Sequence, residues 1–221
     1  MDAAAWDERY AATELVWGAP PNRFLPAEVA ELVPGRALDL ACGEGRNAVW
    51  LATAGWRVTA VDFSRVAIDK GRRLAAEAEV EVGFVVADVT SHVPQAGAYD
   101  LVIIFYLQLV RSARLAVLER ALEALAPGGT LLVVAHDLAN LERGHGGPQD
   151  PAVLPTAPGL VSEMRGLAVG AGLEVVDAGE RERVMETGDG PATAIDCLVR
   201  VRRPGGLGDA TNTTAPRLEP L

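Results

Sequence analysis

From residue 36 to residue 136 the chain alternates short apolar runs with stretches whose apolar residues recur every three or four positions. The runs are residues 37–41 (ALDLA), 56–62 (WRVTAVD), 82–88 (VGFVVAD), 99–105 (YDLVIIF) and 130–135 (TLLVVA). Val, Ile and Thr dominate them, and branched side chains suit a pleated, covered surface, so five strands are expected. Helices are expected between them, over residues 47–54 and about 64–78. A third carries Leu115, Leu118, Leu122 and Leu125 on one stripe. In the second helix Ala67, Gly71, Leu74, Ala75 and Ala78 define the predicted inner face. Strands apolar on both faces, each followed by a helix, imply a parallel sheet covered on both sides.

The pattern changes after residue 135. Residues 136–158 are rich in Gly and Pro and predict a long ordered loop, a length that marks function or flexibility. A helix is expected over 160–171, then strands over 174–184 and 193–203. The link between those strands is too short for a parallel crossover, so they should pair antiparallel. Seven strands result, with the antiparallel pair near the C-terminus. Residues 1–35 carry Trp6, Tyr10, Trp17 and Phe24, too aromatic for a simple tail. Residues 204–221 lack apolar periodicity and predict a disordered tail. The expected organisation is an aromatic arm or lid (1–35), a core domain (36–203) and the tail.

Composition narrows the partners. With 49% hydrophobic residues the chain can bury a sizeable core. Its 20 Lys+Arg against 30 Asp+Glu give a net charge of −10, which repels phosphate backbones and anionic lipid. Neither nucleic acid nor a membrane is therefore the expected partner. Lys70 is the only lysine. Cys42 and Cys197 are far apart and suggest neither a disulfide framework nor a metal set, which fits a reducing cytoplasm. The first residues lack the basic start and apolar stretch of a signal peptide, and no run approaches the ~18–20 apolar residues of a membrane span. A soluble cytoplasmic protein is expected, as a monomer or homodimer.

The chemistry concentrates in Asp39-Leu40-Ala41-Cys42-Gly43-Glu44-Gly45-Arg46-Asn47-Ala48. Glycines between a strand end and a helix start let backbone approach a ligand closely. Alone this is weak, because Gly43-x-Gly45-x-x-Ala48 also meets the loose dinucleotide fingerprint and resembles an ordinary packing turn. Three acids sharpen it. Asp39 lies inside the first strand, where a carboxylate is costly to bury unpaired, and a ligand's amino group would offset that cost. Asp62 ends the second strand, placed to take two ribose hydroxyls. Asp88 ends the third, with Val89 beside it. Each acid alone also reads as a helix N-cap, Asp62 in particular. Their order along the carboxyl ends of neighbouring strands is what points to a ligand.

These segments resemble the ordered motifs of Rossmann-like class I methyltransferases: ALDLACGEGRNAVWLA (37–52), VTAVDFS (58–64), FVVADV (84–89), YDLVIIF (99–105) and APGGTLLVVAHD (126–137). The form CGEGRNAVWLA, with Trp6-Asp7-Glu8-Arg9-Tyr10, Trp17-Gly18 and Pro20-Pro21-Asn22 ahead of it, is similar to the tellurite-resistance and thiopurine methyltransferase branch. The resemblance covers about residues 6–203. It implies a Rossmann-like α/β fold and S-adenosylmethionine as cofactor, leaving S-adenosylhomocysteine, with no metal. It further implies Asp39, Ala41, Cys42, Gly43 and Gly45 around the methionine moiety, with Arg46 or Asn47 near its carboxylate. Asp62, Phe63 and Ser64 would hold ribose and adenine, Asp88 and Val89 the adenine edge. Phe105 would lie by the sulfonium. Trp6, Tyr10 and Trp17 would belong to a lid that excludes water.

The acceptor is less defined by the sequence. A thiolate, selenide or telluride needs alignment more than acid–base help, whereas a phenol or carboxylate acceptor wants a base. His136, at the end of the fifth strand beside Asp137, is the candidate base; the competing reading is a histidine satisfying loop carbonyls. Tyr106, Gln108 and His145 are the remaining candidates for an acceptor pocket. Residues 105–107 (FYL) lack the acidic or amide residue with Pro-Pro of amino-methylating enzymes, which argues against DNA-base or glutamine acceptors. The rivals are a nicotinamide-dependent dehydrogenase, which should lack Asp39 and the antiparallel pair, and a non-catalytic cofactor-binding sensor or subunit.

Overall fold

The computed structural model describes residues 3–168, 172–188 and 190–205. Helices α1 (Ala3–Ala11) and α2 (Leu25–Val29) precede a core that runs β1 (Arg36–Leu40), α3 (Arg46–Thr53), β2 (Arg57–Asp62), α4 (Arg65–Glu77), β3 (Val82–Val86) and β4 (Tyr99–Phe105). It continues with α5 (Arg111–Ala124), β5 (Leu125–His136), α6 (Asn140–Arg143), α7 (Ala157–Leu167), β6 (Glu174–Thr187) and β7 (Gly190–Arg202). The seven strands form one sheet in the order β3-β2-β1-β4-β5-β7-β6. Strands β1 to β5 are mutually parallel, and β7 runs antiparallel to both β5 and β6. The order reverses beside β1, between β1 and β4, and open α/β sheets bind ligands at the carboxyl ends of strands at such a switch. An antiparallel β7 between β5 and β6 departs from the 3-2-1-4-5-6 sheet of dinucleotide-binding proteins.

Each sheet face closes its own core. Leu38, Leu40, Val102, Leu131 and Val133 turn to one side, where Val117, Leu118 and Ala121 of α5 and Leu160 and Met164 of α7 meet them. Ala37, Leu101, Ile103, Leu132 and Leu198 turn to the other, under Leu25 and Val29 of α2 and Ala48 and Leu51 of α3. Adjacent strand residues face opposite cores, so one apolar run serves both.

Several boundaries differ from the pattern-based expectation. The helix expected over 64–78 is α4, with Ser64 as N-cap accepting from the Ala67 amide; its buried face is Ala67, Ile68, Gly71 and Ala75, and Ala78 is exposed. In α5 the deepest residues are Val117, Leu118, Ala121 and Ala124, whereas Leu115 and Leu122 are only half-buried and Leu125 already belongs to β5. The small alanines let α5 approach the sheet more closely than a leucine stripe would. The 136–158 segment is not one loop: Asp137 and Asp150 turn it into α6 and a short 3-10 turn, Pro151–Val153. α7 starts at Ala157, capped by Thr156. The β6–β7 hairpin is longer at its tip than the expected 174–184 and 193–203. Residues 169–171 of the expected helix and 206–221 of the expected tail lie outside the described residues.

Candidate active site

The carboxyl ends of β1, β2, β4 and β5 converge on one edge of the sheet, and the chemistry-bearing residues gather there in two adjoining groups.

The first group surrounds the β1–α3 turn. Gly43 and Gly45 hold φ of +54° and +76°, values glycine adopts without steric cost. A Cβ on Gly45 would stand 2.8 Å from the Phe84 ring, and one on Gly43 would stand 2.9 Å from the Tyr10 hydroxyl. The second contact marks the open side of the turn, where something other than sheet approaches. Ala41, at φ +61°, is one of three non-glycine residues in the left-handed region among those described, and Tyr106 (φ +56°) is another. Both follow a strand end at this edge, where strain of order 1–3 kcal/mol is held by the surroundings.

Asp39 is 1% exposed, and its Oδ2 has no hydrogen-bond partner among the described residues. Burial, then the Asp62 charge, push its carboxyl up to about 8, against the pull of Arg46 and the Ala48 amide. A buried acid left so costs the fold free energy unless something cationic meets it. Asp62 is buried too, yet both its oxygens are engaged: Oδ2 accepts from the Gly43 amide (2.9 Å) and Oδ1 from the Ser64 amide (2.9 Å). It ties the turn to the start of α4. Burial raises its carboxyl, opposed by those two amides. Arg46 donates to the Trp17 carbonyl (3.0 Å), and the Asn47 side-chain oxygen accepts from the Asn22 amide (2.8 Å). Cys42 is half-buried, and burial with the Asp39 and Asp62 charges pushes its thiol up, away from the reactive thiolate. Phe63 is half-buried and Phe105 buried.

The arm closes over this turn. Glu44, 2% exposed between the two glycines, accepts from the Val16 amide (2.8 Å) and pairs with Lys70 (3.2 Å). Lys70 also donates to the Tyr10 and Thr13 carbonyls, and Ser64 Oγ donates to Asp7. Trp6 stacks on Tyr10, and the Arg9 guanidinium lies 5.2 Å over both the Trp6 and Trp17 rings. The chain's only lysine is thus the post that holds the arm.

The second group joins β4, β5, β6 and β7. Asp196 is fully buried directly opposite His136 in register. It accepts from the Tyr106 hydroxyl (2.8 Å) and from Arg183 Nε (2.7 Å), and His136 Nδ1 lies 3.2 Å from its Oδ1. Burial alone would raise its carboxyl, but the His136 and Arg183 donors outweigh that and hold it below the usual range. The Tyr106 ring packs 5.0 Å from the His136 ring, under the Arg183 guanidinium. Tyr106 follows β4 and Ala41 follows β1, and these two strands pair, which sets the two groups side by side.

The remaining expected positions make contacts of their own. Asp88 is exposed and spends Oδ1 on the Thr90 amide and hydroxyl, capping the turn after β3, while Val89 is buried in the core. Asp137 sits at the entry to α6, its Oδ1 accepting from the Ala139 amide (2.8 Å) while its Oδ2 has no partner among the described residues. Gln108 steadies its neighbour: its amide oxygen accepts from the His136 N–H (3.1 Å) and its nitrogen donates to the Val153 carbonyl (3.3 Å). His145 is exposed, although Gly147 two residues on passes over the His136 ring. Sequence reading missed Glu44, Lys70, Arg183 and Asp196. Asp196 alone left a trace, as an acid inside the apolar run AIDCLV. Among the described residues no group of three or more His, Cys, Asp or Glu could hold a metal, and no helix is long and apolar enough to cross a membrane.

Residues 37–129 match the family model described as a methyltransferase domain. The demethylmenaquinone methyltransferase of Clavibacter sepedonicus is 39% identical over 107 residues, covering 48% of this chain and 42% of that protein. The chain therefore spans under half the length of that relative. Its fold is shared with the structure described as "Conversion of a Disulfide Bond into a Thioacetal Group during Echinomycin Biosynthesis" (TM-score 0.70, 22% identity, 91% of this chain and 92% of the other). It is shared as well with the N-methyltransferase NodS of Bradyrhizobium japonicum in complex with S-adenosyl-l-homocysteine (0.67, 18%, 91% and 98%). TehB of Haemophilus influenzae superposes to a similar degree (0.66, 16%, 91% and 66%), so overall likeness does not single out its branch.

Proposed function

We propose that this chain, which carries a class I methyltransferase domain, transfers a methyl group from S-adenosylmethionine to a small-molecule acceptor. The observation that carries the reading is Asp39, a buried carboxylate with one oxygen left without a partner at the mouth of a glycine turn. The ammonium of the cofactor's methionine moiety is the counterion that this acid lacks.

The surrounding residues fit the same group. Gly43 and Gly45 keep side chains out of the turn, so the backbone can approach the methionine moiety beside Ala41 and Cys42. Arg46 and Asn47 open α3 directly after the turn, suited to the methionine carboxylate. Asp62, with Ser64 next to it, retains acceptor capacity for ribose hydroxyls beyond the two amides it already binds. Phe63 offers a half-buried face for adenine, Asp88 and Val89 its edge, and Phe105 a π face for a sulfonium. Trp6, Tyr10 and Trp17, on the arm latched by Glu44 and Lys70, exclude water. When bound, the cofactor supplies an activated methyl group on a good leaving group. The chain's part is then alignment in a dry site, on the order of 7–11 kcal/mol where geometry is good.

We assign the chain to the tellurite-resistance and thiopurine methyltransferase branch on its arm and on CGEGRNAVWLA. The acceptor class is a soft sulfur, selenium or tellurium nucleophile or a small oxygen acceptor. The thioacetal-forming relative makes sulfur chemistry on this fold reasonable. The net charge of −10 favours a small molecule over nucleic acid or an anionic membrane, and a cytoplasmic monomer or homodimer fits the two unpaired cysteines. Formation of S-adenosylhomocysteine across thiols, metalloid oxyanions and small phenols tests the reading. Turnover with any class supports it; cofactor binding with no turnover throughout would leave a sensor or subunit instead.

A further inference from the structure

We propose that His136 is the general base of the transfer and Asp196 the residue that positions it, so that the acceptor is a small hydroxyl compound of the phenol class. The inference rests on the methyltransferase reading above and narrows its acceptor.

Asp196 sits opposite His136 across β5 and β7 with no exposure of its own, and its Oδ1 is 3.2 Å from His136 Nδ1. Its other oxygen takes the Tyr106 hydroxyl and Arg183 Nε. His136 Nδ1 makes no aligned hydrogen bond in this arrangement, but an ionised carboxylate 3.2 Å away favours the tautomer with its proton on Nδ1 and its lone pair on Nε2. The residue is held from three further directions. Tyr106 packs against its ring at 5.0 Å and Gly147 has no room for a Cβ beside it (2.9 Å), while the Gln108 amide, in the orientation that satisfies both its atoms, fixes the His136 backbone N–H. The charged and titratable groups facing it are Asp196 of β7, Arg183 of β6 and Tyr106 beyond β4. Tyr106 follows β4, which pairs with both β1 and β5, so the imidazole at the end of β5 lies on the same sheet edge as the cofactor turn after β1. A histidine merely satisfying loop carbonyls would need none of this.

Such an arrangement serves an acceptor that still carries its proton. A phenol, with an ordinary pKa of about 10, is protonated at neutral pH, and a positioned base contributes about 10²–10⁴-fold. An already ionised selenide or telluride gains nothing from it. In the step, the acceptor oxygen's electron pair forms the new bond to the methyl carbon while its proton passes to His136 Nε2. The carbon–sulfur pair leaves with sulfur, and the positive charge moves from sulfonium to an imidazolium that faces Asp196.

The test combines ¹⁵N NMR of the histidines with rates on substituted phenols and matched thiols. Three histidines are present, and His136→Gln identifies the resonance. The expected result is a His136 held as the Nδ1–H form, a preference weakened in Asp196→Asn. His136→Gln should bind S-adenosylhomocysteine within about threefold of wild type. It should lose about a hundredfold in rate on phenols, together with the acid limb of the pH–rate profile. An Nε2–H form, turnover confined to thiols, or equal rates and pH profiles for His136→Gln would overturn the proposal. Loss of S-adenosylhomocysteine binding by the wild-type protein would instead remove the methyltransferase reading beneath it.

Discussion

Asp39 and Asp196 are the same residue type, both essentially without solvent exposure, on the same edge of the same sheet, and they behave in opposite ways. Asp196 is surrounded by donors and its carboxyl is held low; Asp39 has an orphaned oxygen and its carboxyl rises to about 8. Burial is common to both, so partners make the difference. A buried acid whose partners all come from the fold organises the fold. One with an oxygen left over at the glycine turn is free to meet a ligand there. The acceptor side of the site is thus built from internal pairs that place a histidine, and the cofactor side from one acid held ready and a turn held open.

The contrast can be broken most strongly at Asp196. Asp196→Ala leaves Arg183, Tyr106 and His136 around a buried hole, and removing one partner from such a pair costs about 3–5 kcal/mol. Chemical denaturation should show that loss in the absence of any ligand; a change below about 1 kcal/mol would mean the network contributes little. Asp39→Asn should do the reverse. It removes an uncompensated acid, so apo stability should hold or increase. S-adenosylhomocysteine affinity should drop about 10–100-fold, the equivalent of a charged hydrogen bond of about 1.5–3 kcal/mol. Lost stability with unchanged affinity would make Asp39 structural.

The pH dependence of stability separates the two acids without ligand. Asp39 has a folded pKa raised to about 8 from an ordinary 3.8, so the folded state binds the extra proton between those values. Its contribution is full below about pH 4 and is lost as pH rises towards 8. Asp196 is held low, so its contribution is present above the ordinary carboxylate range and is lost as pH falls below it. Subtracting the Asp39→Asn stability curve from that of wild type should therefore leave a decline from pH 4 to 8. The smallest effect is expected at the arm: Lys70→Met removes the post under Tyr10, Thr13 and Glu44. Several-fold weaker S-adenosylhomocysteine binding and faster trypsin cleavage at Arg9 should follow, with global stability changed by about 1 kcal/mol.

The two sides were also unequally legible in the sequence. Asp39, Gly43, Gly45 and Asp62 lie close along the chain, and a glycine turn between an apolar run and a helix constrains its own geometry. Strand identities followed for the same local reason. The second group gathers residues 106, 136, 183 and 196 through sheet register, and a one-residue slip would turn each of them to the other face. Arg183 stands in a run of alternating charges that reads as an exposed edge, so nothing local marks it. Glu44 and Lys70 carry no local signal of their role, because their partners Val16, Tyr10 and Thr13 come from the arm. Asp88 engages one oxygen with the Thr90 amide and hydroxyl, a turn that the apolar run 82–88 gave no sign of.

The central claim, that Asp39 waits for the ammonium of the cofactor, has a direct test in calorimetric titration with S-adenosylhomocysteine at pH 7. The titration is run in two buffers of different ionisation enthalpy, with NADH as control. An acid held near 8 is mostly protonated at pH 7 and must ionise when an ammonium arrives. The account predicts saturable binding with release of a proton to the buffer, no NADH binding, and loss of the proton signal in Asp39→Asn. Binding that releases no proton and is equally tight in Asp39→Asn would contradict it.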